Sequence, residues 1–231
     1  MKLAGLQKLT LLDFPGHVAC TVFTAGCNLR CPFCHNSELV LPERKPALMD
    51  EADFFSFLKK RQGILEGVCV TGGEPLLQQD IANFLRRIKE LGFAVKLDTN
   101  GCFPAVLREL VTQHLVDFVA MDIKNSPARY AETVGIPNFD LSPIRESVDF
   151  LLSGAVDYEF RTTVASQFHD EQSFRDIAQW IAGTNRYALQ EFKDSGDILT
   201  GGLTPCSEAQ MQSFLDILKP HIPGAFLRGT E

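Results

Sequence analysis

The stretch VACTVFTAGCNLRCPFCHN, residues 18–36, joins a short apolar run directly to three cysteines. The run at 18–26 has the β-branched and aromatic residues that are typical of a buried strand. Cys27, Cys31 and Cys34 follow it with the spacing C-x3-C-x2-C. Functional residues of parallel α/β folds lie where strands end and loops begin. The stretch therefore predicts a reactive loop at the end of the first strand.

Similar apolar runs recur along the chain and alternate with helical patterns. The further runs lie at 67–73, 93–101, 117–124, 158–164 and 187–192, and the helical patterns begin near Asp50, Gln78, Pro104, Ser142, Asp170 and Ser207. Such alternation predicts βα units and a parallel sheet. Six units are too few for a closed eight-stranded barrel, so the pattern indicates an open, partial barrel or a doubly wound sheet. A last short strand is expected at 225–229, and residues 1–231 are expected to form a single domain.

Polar residues stand at the ends of the first four apolar runs. After the cysteine loop come Gly72-Gly73-Glu74-Pro75, then Asp98-Thr99-Asn100-Gly101, then Asp122-Ile123-Lys124. The carboxyl ends of parallel strands meet at one edge of a sheet. We therefore expect these four endings to gather on one rim.

Composition and charge limit the cellular locations and the classes of partner to be expected. The net charge of −7 argues against a nucleic-acid partner, because phosphate binding needs a basic surface. The N-terminal segment has no signal-peptide pattern, and no apolar run approaches the roughly 20 residues that span a bilayer. We expect a cytoplasmic protein without a membrane partner. In such a chain, seven cysteines with three in one loop favour metal binding over disulfides.

The cysteine loop can be compared with known kinds of metal site. Structural zinc takes four ligands, usually from two short hairpins, whereas this chain has one cysteine loop. His35 could complete a zinc site, but it follows Cys34 directly. Iron–sulfur clusters usually take four thiolates, so three cysteines on a [4Fe–4S] cluster would leave one iron open to a substrate or cofactor. The loop favours such a cluster over zinc.

Several segments resemble those of a known family. The cysteine loop, with Phe33 before its last cysteine, resembles that of the radical S-adenosylmethionine (SAM) superfamily, and TGGEP (71–75) resembles its GGE motif. LLDFPGHVACTVFTAGCNLRCPFCHN (11–36), LDTNG (97–101) and MDIK (121–124) narrow the resemblance to the activating enzymes of glycyl radical enzymes. CPFCHN and the C-terminal FLRGTE are most similar to activators of the anaerobic ribonucleotide reductase. A pyruvate formate-lyase activator is the nearest alternative.

The resemblance implies a fold and a reaction. It implies a partial (β/α)6 barrel with a [4Fe–4S] cluster on Cys27, Cys31 and Cys34, whose open iron binds SAM. A reductant such as flavodoxin would reduce the cluster, and SAM would be cleaved to a 5′-deoxyadenosyl radical. That radical would take hydrogen from a glycine of the partner enzyme. A radical SAM enzyme acting on a small molecule or a peptide, and a zinc or redox-sensing regulator, remain alternatives.

The resemblance also implies contacts with SAM. The backbone of Gly72, Gly73 and Glu74 would meet the methionine amino group. Asp122 and Lys124 share one strand face, since residues i and i+2 do, so both could reach one ligand. Asp122 would accept from a ribose hydroxyl or an ammonium group, and Lys124 would meet the carboxylate. The alternatives are that Asp122 forms a turn or that the two residues form an ion pair.

The remaining candidates have alternative structural roles. Phe33 could stack on a purine face. His35 could bind SAM or position the loop, and Asp98 could bind SAM or form a turn before Asn100-Gly101. Arg161 could bind SAM or form a structural ion pair. Lys193 stands where formate-lyase activators carry a histidine near SAM, and its role is open.

Overall fold

One eight-stranded sheet forms the centre of the fold, in a computed structural model that describes residues 1–41, 46–194, 196 and 198–229. The strands are β1 (Leu3–Thr10), β2 (Ala19–Thr24), β3 (Gly67–Gly72), β4 (Ala94–Thr99), β5 (Phe118–Asp122), β6 (Asp157–Val164), β7 (Tyr187–Glu191) and β8 (Ala225–Arg228). Their order in the sheet is their order in the chain. Strand β1 is antiparallel to β2, and all later neighbours are parallel. Because β1 and β8 are the two ends of this order, the sheet is an open, partial barrel.

Helices connect the parallel strands. They are α1 (Ser37–Val40), α2 (Glu51–Lys59), α3 (Ile81–Glu90), α4 (Pro104–Thr112), α5 (Tyr130–Val134), α6 (Ser142–Leu152), α7 (Glu171–Trp180) and α8 (Glu208–Leu218). Three predicted helix starts are N-caps: the side chains of Asp50, Asp170 and Ser207 accept hydrogen bonds from main-chain N–H groups of the first turn. Among the described residues, no helix has the length and apolar character needed to cross a membrane.

The six predicted strands and the last short strand are all present, whereas β1 was not predicted. Strand β1 is an edge strand, and its residues 4–9 are half-buried or exposed. It therefore lacks the apolar run that marks the strands buried on both faces. The single-domain interpretation stays a prediction, and the last two residues of FLRGTE, Thr230 and Glu231, lie outside the described residues.

The strand register brings the predicted polar endings together. Thr24 at the end of β2 pairs with Gly72 of β3, and Thr99 of β4 pairs with Met121 of β5. Asp122 pairs in turn with Arg161 of β6. The parallel strands therefore end at one edge, and the predicted rim is confirmed.

Candidate active site

A cavity of about 310 Å³ opens at this rim. The predicted residues that line it are Cys27, Cys31, Phe33, Cys34, His35, Gly72, Gly73, Asp98, Asp122, Lys124 and Arg161. Residues without a predicted binding role also line it, among them Gln7, Asp13, Thr21, Thr71, Thr163 and Gln190, and so does Asn100, which was expected at the rim. The structure thus brings together residues from the cysteine loop and from strands β1 to β7.

The backbone of the cysteine loop is fixed by contacts with the protein. The main-chain N–H of Arg30 donates to the carbonyl of Val134 at the end of α5, at 2.9 Å. The Arg30 guanidinium donates through Nη1 to the carbonyls of Cys27 and Leu29, at 2.8 and 2.7 Å. These bonds shape the loop before any ligand binds.

The three cysteines fit a [4Fe–4S] cluster. Burial raises the pKa of all three thiols, that of Cys31 to about 12, and the Lys124 ammonium opposes the rise. Thiolates are the ligands that iron–sulfur clusters take, and each one binds a different iron. Among the described residues, no group of three His, Cys, Asp or Glu side chains could hold a single metal ion. A cluster does not require such a group, because its thiolates bind separate irons. The donors of this loop match the cluster in type, and all three line one cavity.

Gly72 and Gly73 allow the end of β3 to pass against the chain that enters the cysteine loop. A Cβ at Gly73 would lie 2.0 Å from the carbonyl oxygen of Gly26, and one at Gly72, whose φ is +120°, would lie 2.3 Å from the nitrogen of Thr24. The Gly73 N–H donates to the Thr24 carbonyl at 2.8 Å. No side chain fits at either position, so main chain forms this part of the cavity wall.

Glu74 braces the end of β4. It is fully buried, and its carboxylate accepts hydrogen bonds from the N–H of Leu76 (3.0 Å), the hydroxyl of Thr99 (2.9 Å) and the N–H of Asn100 (2.7 Å). Burial raises the pKa of Glu74 to about 7, and the three donors oppose that rise. Glu74 does not appear among the described cavity-lining residues. Its predicted contact with a cofactor stays a prediction, and the contacts observed are with the protein.

Five charged side chains alternate in sign across β4, β5 and β6, four of them on the strands and the fifth, Lys124, two residues after β5. Lys96 contacts Asp98, and Asp98 accepts from Arg161 Nη1 at 2.9 Å. Arg161 Nε also donates to Asp122 at 2.5 Å, and Asp122 accepts from Lys124 at 2.7 Å. Burial alone would raise the pKa of Asp122, but Arg161 and Lys124 hold it well below its usual range. The shared face predicted for Asp122 and Lys124 is confirmed, and the two form an ion pair.

Asp98 does not form the turn that follows it. That turn is bonded by its neighbours, because Thr99 Oγ1 accepts from the N–H of Gly101 and Asn100 Oδ1 accepts from the N–H of Cys102. Asp98 instead lines the cavity, and its carboxylate pairs with Lys96 and Arg161. Asp98 thus belongs to the charged face and not to the turn.

The aromatic candidates occupy two different environments. Phe33 is buried and packs against Phe168 with ring centroids 5.6 Å apart, so one part of its ring lies in the core and another lines the cavity. His35 is exposed and stacks on Phe192 at 5.4 Å. Lys193 is exposed, and the β7 side chain that lines the cavity among the described residues is Gln190.

Some residues of the site were not predicted. Gln7 belongs to the unpredicted strand β1, so no pattern marked it, whereas Asp13 lies in the segment 11–36 that carries the resemblance but had no predicted role. Lys96 left a usable signal. A lysine inside an apolar strand must be paired when buried, and Asp98 two residues later lies on the same face.

Comparison with known proteins adds the family. The model of the radical SAM superfamily matches residues 21–181. The chain belongs to the radical SAM superfamily. The predicted class, a radical SAM enzyme, is confirmed, and the charged cavity face and the cysteine loop lie within the matched segment.

Relatives of this radical SAM protein fall into more than one group. A Methanocaldococcus jannaschii protein, provisionally named a glycyl-radical enzyme activating enzyme, is 32% identical over 97% of this chain and 95% of its own. A 7-carboxy-7-deazaguanine synthase from Hyperthermus butylicus is 33% identical over 73% of this chain and 65% of its own. The pyruvate formate-lyase-activating enzyme of Clostridium pasteurianum is 31% identical over 54% of this chain and 52% of its own. The chain therefore spans nearly all of the first relative and about half of the third.

Solved structures share the fold. Streptococcus suis SuiB, in the structure bound to its precursor peptide SuiA, superposes with a TM-score of 0.70 at 14% identity, over 90% of this chain and 48% of that one. At this identity the likeness concerns the fold alone. It agrees with the open, partial barrel described above.

Proposed function

We propose that this protein is an activating enzyme that installs a glycyl radical on a partner enzyme, with a [4Fe–4S] cluster and SAM as cofactors. The observation that carries the proposal is the similarity to the Methanocaldococcus jannaschii relative over 97% of this chain. The cavity supports it, because the three cysteines of one loop and the polar strand ends line the same space.

Each part of the cavity has a role in this proposal. Cys27, Cys31 and Cys34 hold the cluster through their thiolates. When bound, the cluster and SAM supply one-electron cleavage of the sulfonium and a carbon-centred radical able to remove hydrogen from glycine. The barrel wall orients the ligands and excludes water, which keeps a reactive radical on its path.

The charged face binds SAM in the proposal. Lys124 donates to Asp122 through one of the three hydrogens of its ammonium, so it retains donors for a ligand carboxylate. Asp122 accepts from a ribose hydroxyl or from the ligand ammonium. Gly72 and Gly73 present main chain to the amino group, and Phe33 and His35 flank the loop for contact with adenine. Asp98 fixes Arg161 next to this site.

The first candidate for the partner is the anaerobic ribonucleotide reductase, on the resemblance of CPFCHN and FLRGTE to activators of that enzyme. The proposal includes a reductant such as flavodoxin and a cytoplasmic location, without a nucleic-acid or membrane partner. An open barrel suits a large substrate, since strands β1 and β8 leave its side unpaired.

Two other functions have specific support. A pyruvate formate-lyase-type partner is supported by the similarity to the Clostridium pasteurianum enzyme over about half of each chain. A small-molecule substrate is supported by the similarity to the Hyperthermus butylicus synthase over 73% of this chain. The Methanocaldococcus jannaschii relative, which matches 97% of this chain, favours the activating function over a small-molecule substrate.

The test is to mix reduced protein, SAM and each candidate glycyl radical enzyme without oxygen and to record electron paramagnetic resonance spectra. We expect a glycyl doublet on the reductase, and none when Cys31→Ala replaces the wild type. A doublet only on a formate-lyase-type enzyme would move the partner to that class. SAM cleavage without a doublet on any such enzyme would contradict the activating function and favour a small-molecule or peptide substrate.

A further inference from the structure

Asn100 directly follows β4 and is 4% exposed; it was expected at the rim, but no binding role was predicted for it. Its side-chain Nδ2 donates to Asn28 Oδ1 at 2.9 Å and lies 3.9 Å from the sulfur of Cys27, within the range of an N–H···S hydrogen bond. Its Oδ1 accepts from the main-chain N–H of Cys102 at 3.0 Å. The amide thus joins the end of β4 to the first turn of the cysteine loop.

The orientation of this amide follows from its partners. A main-chain N–H can only donate, so the atom of Asn100 that faces Cys102 must be the carbonyl oxygen. The amide nitrogen then faces Asn28 and Cys27, and it carries two hydrogens, one for each acceptor. A ligating thiolate can only accept, which suits the hydrogen that points to Cys27.

Glu74 keeps Asn100 in place. The Asn100 main-chain N–H donates to Glu74 Oε2 at 2.7 Å, and the neighbouring Thr99 hydroxyl donates to Glu74 Oε1 at 2.9 Å. Glu74 itself begins the turn after Gly73 and accepts from Leu76. Glu74 therefore fixes the main chain at Asn100, from which the side-chain amide contacts the cysteine loop.

We propose that Asn100 is a positioning residue whose side chain donates a hydrogen bond to the Cys27 thiolate and thereby raises the reduction potential of the cluster. The proposal rests on the cluster of the proposed function. Glu74 serves it by fixing the main chain of Asn100, which assigns a role in the protein to the carboxylate of the GGE segment.

A hydrogen bond to Cys27 should raise the reduction potential because of the charge that the cluster gains. A cluster gains one negative charge when it is reduced, and hydrogen bonds to its sulfurs stabilise that charge. The main-chain N–H of Leu29 donates to the same sulfur at 3.4 Å. Asn100 adds a side-chain donor to this main-chain donor, so the Cys27 sulfur accepts from two groups. Loss of the amide should make reduction harder without removing a ligand.

The test compares three variants of the full chain, each reconstituted with iron and sulfide without oxygen. Asn100→Leu removes the donor, Asn100→Asp keeps an oxygen for Cys102 but replaces the donor with an anion, and Asn28→Ala removes the second acceptor while leaving the donor to Cys27 in place. The midpoint potential is measured by redox titration followed by electron paramagnetic resonance. Iron content and the melting temperature of the apoprotein are measured beside it.

We expect full cluster content in the variants and a more negative midpoint in Asn100→Leu, with a loss of about threefold to tenfold in the equilibrium constant for reduction. Asn100→Asp should shift further in the same direction, and Asn28→Ala should stay near the wild type. Asn100→Asp is close to the wild type in size, so it provides the comparison if the leucine variant does not fold.

Two results would overturn the inference while the proposed function stands. One is a wild-type midpoint in both Asn100 variants. The other is an equal shift of the midpoint potential in Asn28→Ala. That result would assign the effect to the hydrogen bond between Asn100 and Asn28 and not to the one between Asn100 and the Cys27 sulfur. A wild-type protein that takes up no cluster would instead contradict the proposed function, and the inference with it.

Discussion

Arg161 binds Asp98 and Asp122 with one guanidinium: Nη1 lies 2.9 Å from Oδ2 of Asp98, and Nε lies 2.5 Å from Oδ1 of Asp122. The three residues come from β6, β4 and β5, so one side chain links three neighbouring strands at the rim. Each carboxylate also has a lysine, Lys96 for Asp98 and Lys124 for Asp122. Arg161 therefore sets the spacing between the two carboxylates.

Replacing Arg161 should destabilise the apoprotein. Arg161→Met leaves the buried Asp98 and the half-buried Asp122 with one cation each, and breaking a buried ion pair costs about 3–5 kcal/mol. We expect a loss near the lower limit, about 3 kcal/mol in the free energy of unfolding, measured in urea. The control is Arg108→Met, whose partner Glu146 is exposed and whose pair contributes about 1 kcal/mol or less. Equal losses in the two variants would contradict the bridging role.

Removing Lys124 should weaken SAM binding more than folding. A hydrogen bond to a charged group contributes about 1.5–3 kcal/mol, so Lys124→Ala should bind SAM roughly tenfold or more weakly. Affinity is measured on cluster-loaded protein by titration calorimetry, beside the melting temperature. Lys60→Ala, at an exposed position after α2, is the control. Unchanged affinity with a large loss of stability would make Lys124 a structural partner of Asp122 alone.

Adding one methyl group at Gly73 should disrupt the site. In Gly73→Ala the new Cβ would meet the Gly26 carbonyl, which belongs to the backbone and cannot rotate away. We expect a loss of about 1–3 kcal/mol in the free energy of unfolding and reduced iron content after reconstitution. Gly201→Ala, where a Cβ meets nothing within 4 Å, should behave as the wild type. A fully loaded, stable Gly73→Ala protein would show that the close approach is not required.

Acid should remove the stabilisation that Asp122 provides. Its pKa lies below the ordinary 3.8, although burial opposes this, because Arg161 and Lys124 stabilise the carboxylate. Its contribution is therefore complete above the unfolded-state pKa and is lost as the pH falls through the folded-state pKa. The difference in unfolding free energy between wild type and Asp122→Asn should be constant between about pH 7 and 5 and shrink below about pH 4. A difference that shrinks near neutral pH would assign the effect to another group.

Strands buried on both faces were predictable and the edge strand was not. The run at 18–26 contains Val, Thr and Phe in a stretch that is typical of a buried strand. Strand β1 mixes Gly5, Gln7 and Lys8 with its leucines, because solvent reaches much of it. A solvent-facing edge imposes little pattern on the sequence, so its presence depended on pairing with β2.

In the site, local features were predictable from the sequence and contacts between distant residues were not. The cysteine loop and the Asp122–Lys124 pair are local, so spacing and strand periodicity predicted them. The bonds of Glu74 to Thr99 and Asn100 span 25 and 26 residues, and the Arg161–Asp98 bond spans 63. Contacts over such separations follow from strand order and register, which a single sequence does not contain.

The most direct measurement of the central claim is the yield of 5′-deoxyadenosine from SAM after anaerobic reconstitution and reduction, compared among wild type, Cys31→Ala and Cys206→Ala. Cys206 is buried and does not line the described cavity, so it is the matched control for losing a thiol. We predict cleavage by wild type and Cys206→Ala, and none by Cys31→Ala. Wild-type cleavage by Cys31→Ala would contradict a cluster held by the three cysteines of this loop.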